Sequence, residues 1–422
     1  MTIHTNRRTV IGAGVAIGLT SNALAIAASA AQAVTGRSPD DVARDEAYWR
    51  AIASAYRLDG RYVVLNGGGN NPQPGSVIDA LDRYNRMAGA QPRPHNYTLY
   101  AHRHDHRRRL ARLMGAQPEE VAITRNTTEG LNIVIWGLSM EPGDEILMSE
   151  FEERYAAYIV NQRAARHGVV ARTVSLPLSP SVDDVVSAFR AQITPRTKLI
   201  VASHLVDGWG YNLPIRELAA LAHEHEAQVL VDGALSFSQI PVDMRALDCD
   251  YFATSLHKWL NAPLGTGALF VRQDRIADLW PLYGVPPDRT DIGKFEYVGT
   301  VPGPTYAAIG QAIDFYEQIG PERKAARVRY LLAYLTDALA PNGNVRVVTE
   351  RDPARRAGLA RIAVSGTTGR NLTRTLREDF GIYTWGNFPG PNDGVYVSPN
   401  VFNTPADMDR FAAALAAISG AA

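Results

Sequence analysis

YFATSLHKWLNAPLGTGALFVR, residues 251–272, predicts a short apolar strand, a polar segment, a turn with proline and glycine, and a second apolar strand. Lys258 lies between the two strands. Burial of an ammonium group is costly unless the charge is paired or removed. Condensation of the amine with an aldehyde removes it, and the alternative is a surface lysine at a turn. This segment alone leaves both interpretations open.

The strand upstream, residues 228–232 (QVLVD), ends in a carboxylate. Asp232 precedes Lys258 by 26 positions (258 − 232), which leaves room for one crossover and one more strand. In an open α/β sheet, ligands bind beyond the carboxyl ends of the strands, where we expect both residues. A lysine that condenses with pyridoxal phosphate (PLP) and an aspartate that keeps its ring nitrogen protonated form such a pair. Taken alone, Asp232 is also explained as the cap of a turn.

Composition excludes several classes of protein. The 422 residues carry 43 basic and 43 acidic side chains, so no global charge favours nucleic acid or an anionic membrane. Cys249 is the single cysteine, which excludes a disulfide framework and a thiolate metal cluster. His102, His104 and His106 lie among arginines, and only the first and last share a helix face. This pattern predicts a solvated basic helix face and no metal site.

The N-terminal 33 residues have the pattern of a targeting segment. Arg7 and Arg8 precede a weakly apolar run over residues 10–30, and residues 31–33 (AQA) fit an A-x-A cleavage site. Paired arginines before a mild apolar core are typical of a twin-arginine signal, and a retained anchor is the competing interpretation. We expect export to the periplasm or beyond the cell, with no membrane association after cleavage.

Strands and helices alternate along the rest of the chain. We expect a helix from Ser38 to about Leu58, strands near 62–65, 121–124, 145–148, 169–176, 198–203 and 228–232, and helices near 131–138, 155–167, 182–193, 215–226, 305–319 and 321–339. Such alternation predicts an α/β fold with a mostly parallel sheet covered on both faces. The expected division is a signal peptide (1–33), a large domain (34–325) and a smaller C-terminal α+β domain (326–422).

Three segments together carry a family resemblance: VDGA (231–234), SLHKW (255–259) and APLGTGALFVR (262–272). They resemble the class V aminotransferases, which are PLP enzymes of fold type I, and the isopenicillin N epimerase-like branch in particular. The likeness extends from about residue 65 to 410. It implies that Lys258 holds PLP and, once displaced by substrate, moves the Cα proton of the external aldimine, while Asp232 pairs with the ring nitrogen.

The resemblance also implies how the phosphate is bound. The turn before the helix at 131–138 matches the family's T-T-E turn, and the expected phosphate ligands are Thr127, Thr128, Ser255 and His257. A Gly-Thr turn of the neighbouring subunit also reaches this phosphate in the family. Gly299 and Thr300 fit that role and imply a homodimer.

A glycine cluster follows the strand at 62–65. Residues 66–72 (NGGGNNP) lack the spacing of a P-loop or of a Rossmann turn. In the family this loop lines the entrance of the active site. Asn70 is therefore a candidate substrate-binding residue.

Four positions depart from the family pattern. Leu235 replaces a glutamine or histidine that contacts the ring's phenolic oxygen, and Asp207 replaces an asparagine at the cofactor. Phe151 falls where relatives stack a histidine on the ring, with Tyr155 as the alternative. Tyr396 occupies the position of an arginine that forks onto the substrate carboxylate. This last change implies that an ordinary free α-amino acid is a poor substrate.

The reaction is not fixed by the resemblance. Transamination, epimerisation and β-elimination begin with the same deprotonation, so the expected function is aminotransferase or epimerase chemistry on an amine or amino acid, modified or peptide-borne, with a β-eliminating lyase as alternative. Cysteine desulfuration needs a cysteine in the loop 385–394, where none exists. A PLP-fold binding protein without turnover is the alternative from another class.

Overall fold

The computed structural model describes residues 22–284, 288–349, 355–386 and 393–420. The twin-arginine pair and most of the predicted apolar run lie outside these ranges. Twelve strands are present in the described part: β1 (Val63–Val64), β2 (Val121–Thr124), β3 (Glu145–Ser149), β4 (Val170–Val174), β5 (Thr197–Ser203), β6 (Gln228–Asp232), β7 (Tyr251–Ser255), β8 (Gly267–Val271), β9 (Val345–Val347), β10 (Ala360–Val364), β11 (Ile382–Tyr383) and β12 (Val395–Val397).

Fifteen α-helices accompany these strands in the described part of the chain: α1 (Asn22–Ala33), α2 (Pro39–Ala43), α3 (Glu46–Ser54), α4 (Gly75–Ala90), α5 (Pro92–Ala101), α6 (Arg103–Met114), α7 (Thr127–Gly137), α8 (Arg154–His167), α9 (Val182–Arg190), α10 (Ile215–Glu224), α11 (Met244–Leu247), α12 (Gly303–Ile319), α13 (Pro321–Leu339), α14 (Gly369–Phe380) and α15 (Pro405–Gly420).

Seven strands form the central sheet in the order β2-β8-β7-β6-β5-β3-β4. Strand β8 runs antiparallel to both of its neighbours, and all other pairs in this sheet are parallel. Successive residues alternate between two apolar clusters, as Ile146 and Leu147 do on β3. Both faces of the sheet are therefore buried, which confirms the predicted α/β fold.

The C-terminal region has its own sheet and core. Strands β12, β10 and β9 form an antiparallel sheet in that order, and α13, α14 and α15 contribute to the same apolar cluster. Strand β1 pairs in parallel with β11, so Val63 and Leu65 belong to this cluster. An N-terminal segment thus joins the C-terminal region. The predicted domain boundaries stay a prediction.

The helix expected from Ser38 to Leu58 is two helices. The first, α2, is capped by Ser38 and ends at Ala43, with Arg44 as its C-cap. Asp45 then caps α3, since its Oδ1 accepts from the N–H groups of Ala47 and Tyr48 at 3.1 and 3.0 Å. An aspartate side chain competes well for free N–H groups, which favours a new helix start over a continuous helix.

The last part of the predicted targeting segment forms helix α1. Ala23 and Ala27 are buried in a cluster with residues of α3 and α12, such as Trp49 and Phe315. The cleavage site after Ala33 stays a prediction. Among the described residues, no helix has both the length and the apolar character needed to cross a bilayer.

The prediction of a solvated basic face on α6 is wrong for two residues. His106 is buried, with Nε2 3.3 Å from the carbonyl oxygen of Ala307. Arg107 forms two hydrogen bonds with the buried carboxylate of Glu296, at 2.7 and 2.5 Å. Helix α6 packs on α12 through this side. The sequence prediction was wrong here because the many arginines of α6 indicated an exposed face. The described residues contain no group of three or more potential metal ligands.

Candidate active site

A cavity of about 370 Å³ lies at the carboxyl edge of the central sheet. Strands β2, β5, β6 and β7 all end there. Ser203 and Asp232, the last residues of β5 and β6, are direct partners in the sheet and both line the cavity. Its size falls in the range of about 300–1,000 Å³ that is usual for small-molecule sites. The cavity lies at the edge of the sheet where ligands bind in open α/β folds, so it is the candidate active site.

Lys258 lines this cavity from the loop that follows β7. The loop is fixed on both sides of the lysine. The Asn71 side-chain amide donates to the carbonyl oxygens of Lys258, at 3.0 Å, and of Gly67, at 2.6 Å. The ammonium group of Lys324 donates to the carbonyl oxygen of Trp259, and burial lowers the Lys324 pKa to about 7. The backbone that carries Lys258 is thus held by buried polar groups.

Asp232 lines the same cavity as Lys258. The carboxylate is only 8% exposed, and its Oδ1 accepts from the Ala234 N–H at 2.9 Å. Burial raises the Asp232 pKa, while the Ala234 hydrogen bond and the charge of Lys258 act in the opposite direction. Among the described residues, this carboxylate makes no other hydrogen bond. A protonated ring nitrogen is the partner that such a carboxylate lacks.

The N-terminus of α7 forms an anion site beside Lys258. The Thr127 N–H donates to the Ser255 hydroxyl at 3.0 Å, and the two hydroxyls are 2.7 Å apart. Thr128 and His257 line the cavity next to them. His257 Nδ1 lies 3.0 Å from the Thr266 carbonyl oxygen, which can only accept, so Nδ1 carries the proton. Hydroxyls, amides and a helix N-terminus together fit the phosphate of PLP.

Two acidic residues that the sequence interpretation did not select lie behind β3. Glu152 accepts from the Ser149 hydroxyl at 3.0 Å and from the Ser203 hydroxyl at 2.5 Å. Burial raises the Glu152 pKa to about 7, and the nearby Asp232 charge adds to that increase. Glu153 lines the cavity itself. The sequence feature that could have identified both residues is an acidic pair shortly after β3, a buried strand that ends at the ligand-binding edge of the sheet.

Tyr396 packs against Gly68 of the glycine loop. It is 2% exposed and lines the cavity. A Cβ atom on Gly68 would lie 1.4 Å from its hydroxyl, so only glycine fits there. The hydroxyl has no partner in hydrogen-bonding geometry among the described residues. Ser398 lies beside it, but its hydroxyl donates to the Gly358 carbonyl at 3.1 Å.

Most of the predicted site residues meet in this cavity. Its wall includes Lys258, Asp232, Thr127, Thr128, Ser255, His257, Asp207, Leu235 and Tyr396.

Three predicted residues lie elsewhere. Phe151 does not reach the cavity wall: its ring packs against Trp209 at 5.1 Å, and the alternative residue Tyr155 lines the cavity. Asn70 is exposed, and Asn66 takes the expected place in the wall. Thr300 lines a separate cavity of about 1,030 Å³ with Arg93, so any role at the phosphate requires a second subunit.

Comparison with known proteins shows to which family this chain belongs. The family described as aminotransferase class-V matches residues 63–386. The chain belongs to the class V aminotransferases. This family uses PLP, and the lysine, aspartate and phosphate-binding groups of the cavity fit that cofactor.

Curated relatives of this class V chain include epimerases and desulfurases. Isopenicillin N epimerase of Streptomyces clavuligerus is 30% identical over 88% of this chain and 98% of its own length. The isopenicillin N epimerase of Amycolatopsis lactamdurans is 32% identical over the same shares. A probable cysteine desulfurase of Vibrio cholerae is 28% identical over 84% of this chain and 92% of its own length.

Solved structures of a lyase and a desulfurase share the fold. The cystine C–S lyase C-DES, in complex with its product cysteine persulfide, superposes with a TM-score of 0.78 and 27% identity, over 84% of this chain and 97% of that one. The cysteine desulfurase of Thermococcus onnurineus superposes with a TM-score of 0.76 at 21% identity, over 87% of this chain and 96% of that one. The second comparison supports the fold alone.

Proposed function

We propose that this PLP-dependent enzyme moves a proton at the carbon that bears the substrate's amino group, in an aminotransferase or epimerase reaction. The preferred substrate is an amine, or an amino acid whose α-carboxylate is blocked. The observation that carries this proposal is the cavity wall itself: Lys258 and Asp232 share it with Tyr396, in a place where a carboxylate-binding arginine is expected.

Each group of the wall has a defined task. The Thr127, Thr128 and Ser255 hydroxyls hold the phosphate end, so the ring does not drift sideways. Asp232 keeps the ring nitrogen protonated, and PLP when bound then acts as an electron sink. The Lys258 amine binds the cofactor and, once released, carries the proton to or from the substrate carbon.

The β-eliminating lyase is the second candidate, and the similarity to a cystine C–S lyase favours it. Desulfuration through a cysteine nucleophile is not proposed. Cys249 is 1% exposed, does not line the cavity, and burial raises its thiol pKa far above the usual value. A thiol in that state is inert.

One set of assays separates the three reactions. Purified holoenzyme is incubated in deuterated water with amines, amino acid amides and free amino acids. Pyridoxamine phosphate formation indicates transamination, deuterium at the reacting carbon together with inversion of its configuration indicates epimerisation, and release of a keto acid with ammonia indicates elimination. A protein whose bound cofactor ignores every amine would be a binding protein, contrary to the proposal.

Two further properties concern the location and the assembly of the protein. We propose export through the twin-arginine signal, which rests on Arg7, Arg8 and the AQA motif at 31–33. We also propose a homodimer in which Thr300 reaches the partner's phosphate. Thr300 is exposed and lies beside a large open cavity, which is compatible with a subunit contact.

A further inference from the structure

The charged side chains of the cavity wall are mainly acidic. Glu153, Asp207 and Asp232 line it, and its described basic residues are Lys258 and His257. Burial holds the pKa of His257 below its usual value, so this imidazole is largely neutral near pH 7. Among the described residues, the cavity wall therefore contains three carboxylates and one ammonium group.

Binding of PLP makes the net charge in the cavity more negative. PLP adds a phosphate, and the hydroxyls that fit this phosphate carry no charge. Lys258 is engaged by the aldehyde of the cofactor, and Asp232 by its ring nitrogen. Glu153 and Asp207 remain on the wall for the substrate.

Glu153 has only weak charge compensation. One carboxylate oxygen accepts from the Tyr155 N–H at 2.6 Å. The other lies 3.7 Å from the guanidinium of Arg154, whose side chain is 60% exposed. Water screens an exposed ion pair of this kind, so it contributes little. Burial raises the Glu153 pKa, and the nearby charges of Asp207 and Asp232 add to that increase, so a positive charge in the cavity would favour the ionised form of Glu153.

Asp207 is compensated in part. Its side chain interacts electrostatically with Arg361. The Arg361 Nε donates to the Gly208 carbonyl at 2.8 Å, and its guanidinium lies 4.1 Å from the Trp209 ring centroid. These contacts hold the Arg361 head at the loop that follows Asp207, and Arg361 is the sheet partner of Tyr396 but is not among the described residues that line the cavity. Arg361 therefore lowers the negative potential at Asp207 without removing it.

Aromatic side chains provide an independent observation. Tyr155 and Trp385 line the same cavity and are 48% and 49% exposed. The Arg154 guanidinium already lies 5.2 Å from the Tyr155 ring centroid, so Trp385 is the aromatic residue that offers a ring face to a ligand. The Tyr396 hydroxyl beside this space is buried against Gly68 and has no hydrogen-bond partner among the described residues. Ring faces next to carboxylates form the usual environment for an ammonium or guanidinium group. A neutral hydroxyl suits an amide or ester better than a carboxylate.

We propose that the substrate carries a second positive charge besides the reacting amine and no free carboxylate next to it, with Glu153 and Asp207 as the specificity-determining residues. The substrate class is thus a diamine, or the amide or ester of a basic amino acid. This inference rests on the proposed function and narrows its substrate.

The test compares four probes that differ by one group each: butylamine, 1,4-diaminobutane, L-ornithine and L-ornithine amide. Binding to holoenzyme is titrated by the change in cofactor absorbance, and kcat/KM is measured beside it. We expect 1,4-diaminobutane to bind at least about tenfold more tightly than butylamine, and L-ornithine amide more tightly than L-ornithine. Asp207→Asn and Glu153→Gln should each reduce the diamine preference at least threefold. Both changes keep side-chain shape, and Asp183→Asn, on an exposed helix start outside the cavity, should change nothing.

The outcomes distinguish a failure of this inference from a failure of the proposed function. Equal binding of butylamine and 1,4-diaminobutane, or a preference that both variants retain, overturns this inference and leaves the proposed function in place. Tightest binding of L-ornithine overturns the inference as well, because the free carboxylate would then be favoured. If no probe changes the absorbance of bound PLP, the proposed function fails with it. Cofactor content, measured separately in each variant, excludes simple loss of PLP as the cause.

Discussion

The side-chain amide of Asn71 donates to the carbonyl oxygen of Lys258 over 3.0 Å, and its own oxygen accepts from the Asn400 amide at the same distance. Asn71 and Asn400 are both buried. One buried amide therefore connects the glycine loop, the lysine loop and the C-terminal region. This connection fixes the backbone of Lys258 without involving its amine.

Asn71→Ala should loosen this connection. The substitution removes the partner of the Gly67 carbonyl oxygen and of the Asn400 amide, while the Lys258 carbonyl oxygen keeps only the Asn261 N–H, at 3.3 Å, in the described part of the chain. A buried unpaired group costs about 1–3 kcal/mol. We expect a lower free energy of unfolding and a weaker affinity for PLP, measured by denaturant titration and by cofactor binding to apoprotein. Asn70→Ala, at the exposed neighbour, is the matched control. Equal effects of the two substitutions would show that the amide bridge has no special role.

Tyr396→Arg should improve turnover of free α-amino acids. A guanidinium offers two charged donors to a carboxylate, and each hydrogen bond to a charged group is worth about 1.5–3 kcal/mol. We expect a gain of roughly tenfold to a hundredfold in kcat/KM for free amino acids, at about 1.4 kcal/mol per decade. Tyr396→Phe, which removes the hydroxyl alone, should give no gain. Efficient native turnover of a common amino acid, unchanged by Tyr396→Arg, would mean that another group holds the carboxylate.

Glu152 should make stability depend on pH. Burial raises its pKa from 4.5 to about 7, so the folded protein binds more protons than the unfolded chain between these values. Stability from this group is therefore present below pH 4.5 and decreases as pH rises through 7. Glu152→Gln should remove this decrease, and the variant should gain on the native protein from pH 5 to pH 8. A difference in unfolding free energy that stays constant over this range would show an ordinary carboxyl pKa.

The twin-arginine proposal predicts a loss of export. Replacement of Arg7 and Arg8 by lysine should retain the protein in the cytoplasm, since the translocation machinery reads the arginine pair. Cell fractionation with an antibody against the C-terminal helix measures this. Arg37→Lys, beyond the segment, is the control. An unchanged periplasmic yield of the double variant would refute the proposal.

The sequence predicts the sheet edge better than the loops around it. Lys258 and Asp232 could be placed because strand ends in a parallel sheet share one edge. Asn66 could not be distinguished from Asn70, because the intervening glycines let the loop turn in several ways. Phe151 and Tyr155 follow a strand end through a turn whose register decides which aromatic reaches the cavity. The hydrogen bonds of Asn71 connect residues that are far apart in the chain, and no local sequence pattern predicts such a contact.

The central claim is that Lys258 binds PLP, and the chain offers few alternatives. It contains four lysines: Lys198, Lys258, Lys294 and Lys324. Burial lowers the pKa of Lys294 to about 8 and that of Lys324 to about 7, so both are reactive in principle, yet only Lys258 lines the cavity. Reduction of the holoenzyme with borohydride, followed by proteolysis and mass spectrometry, identifies the modified residue. The account predicts the pyridoxyl label on Lys258 and its loss in Lys258→Ala, whereas a label on any of the other three lysines would contradict it.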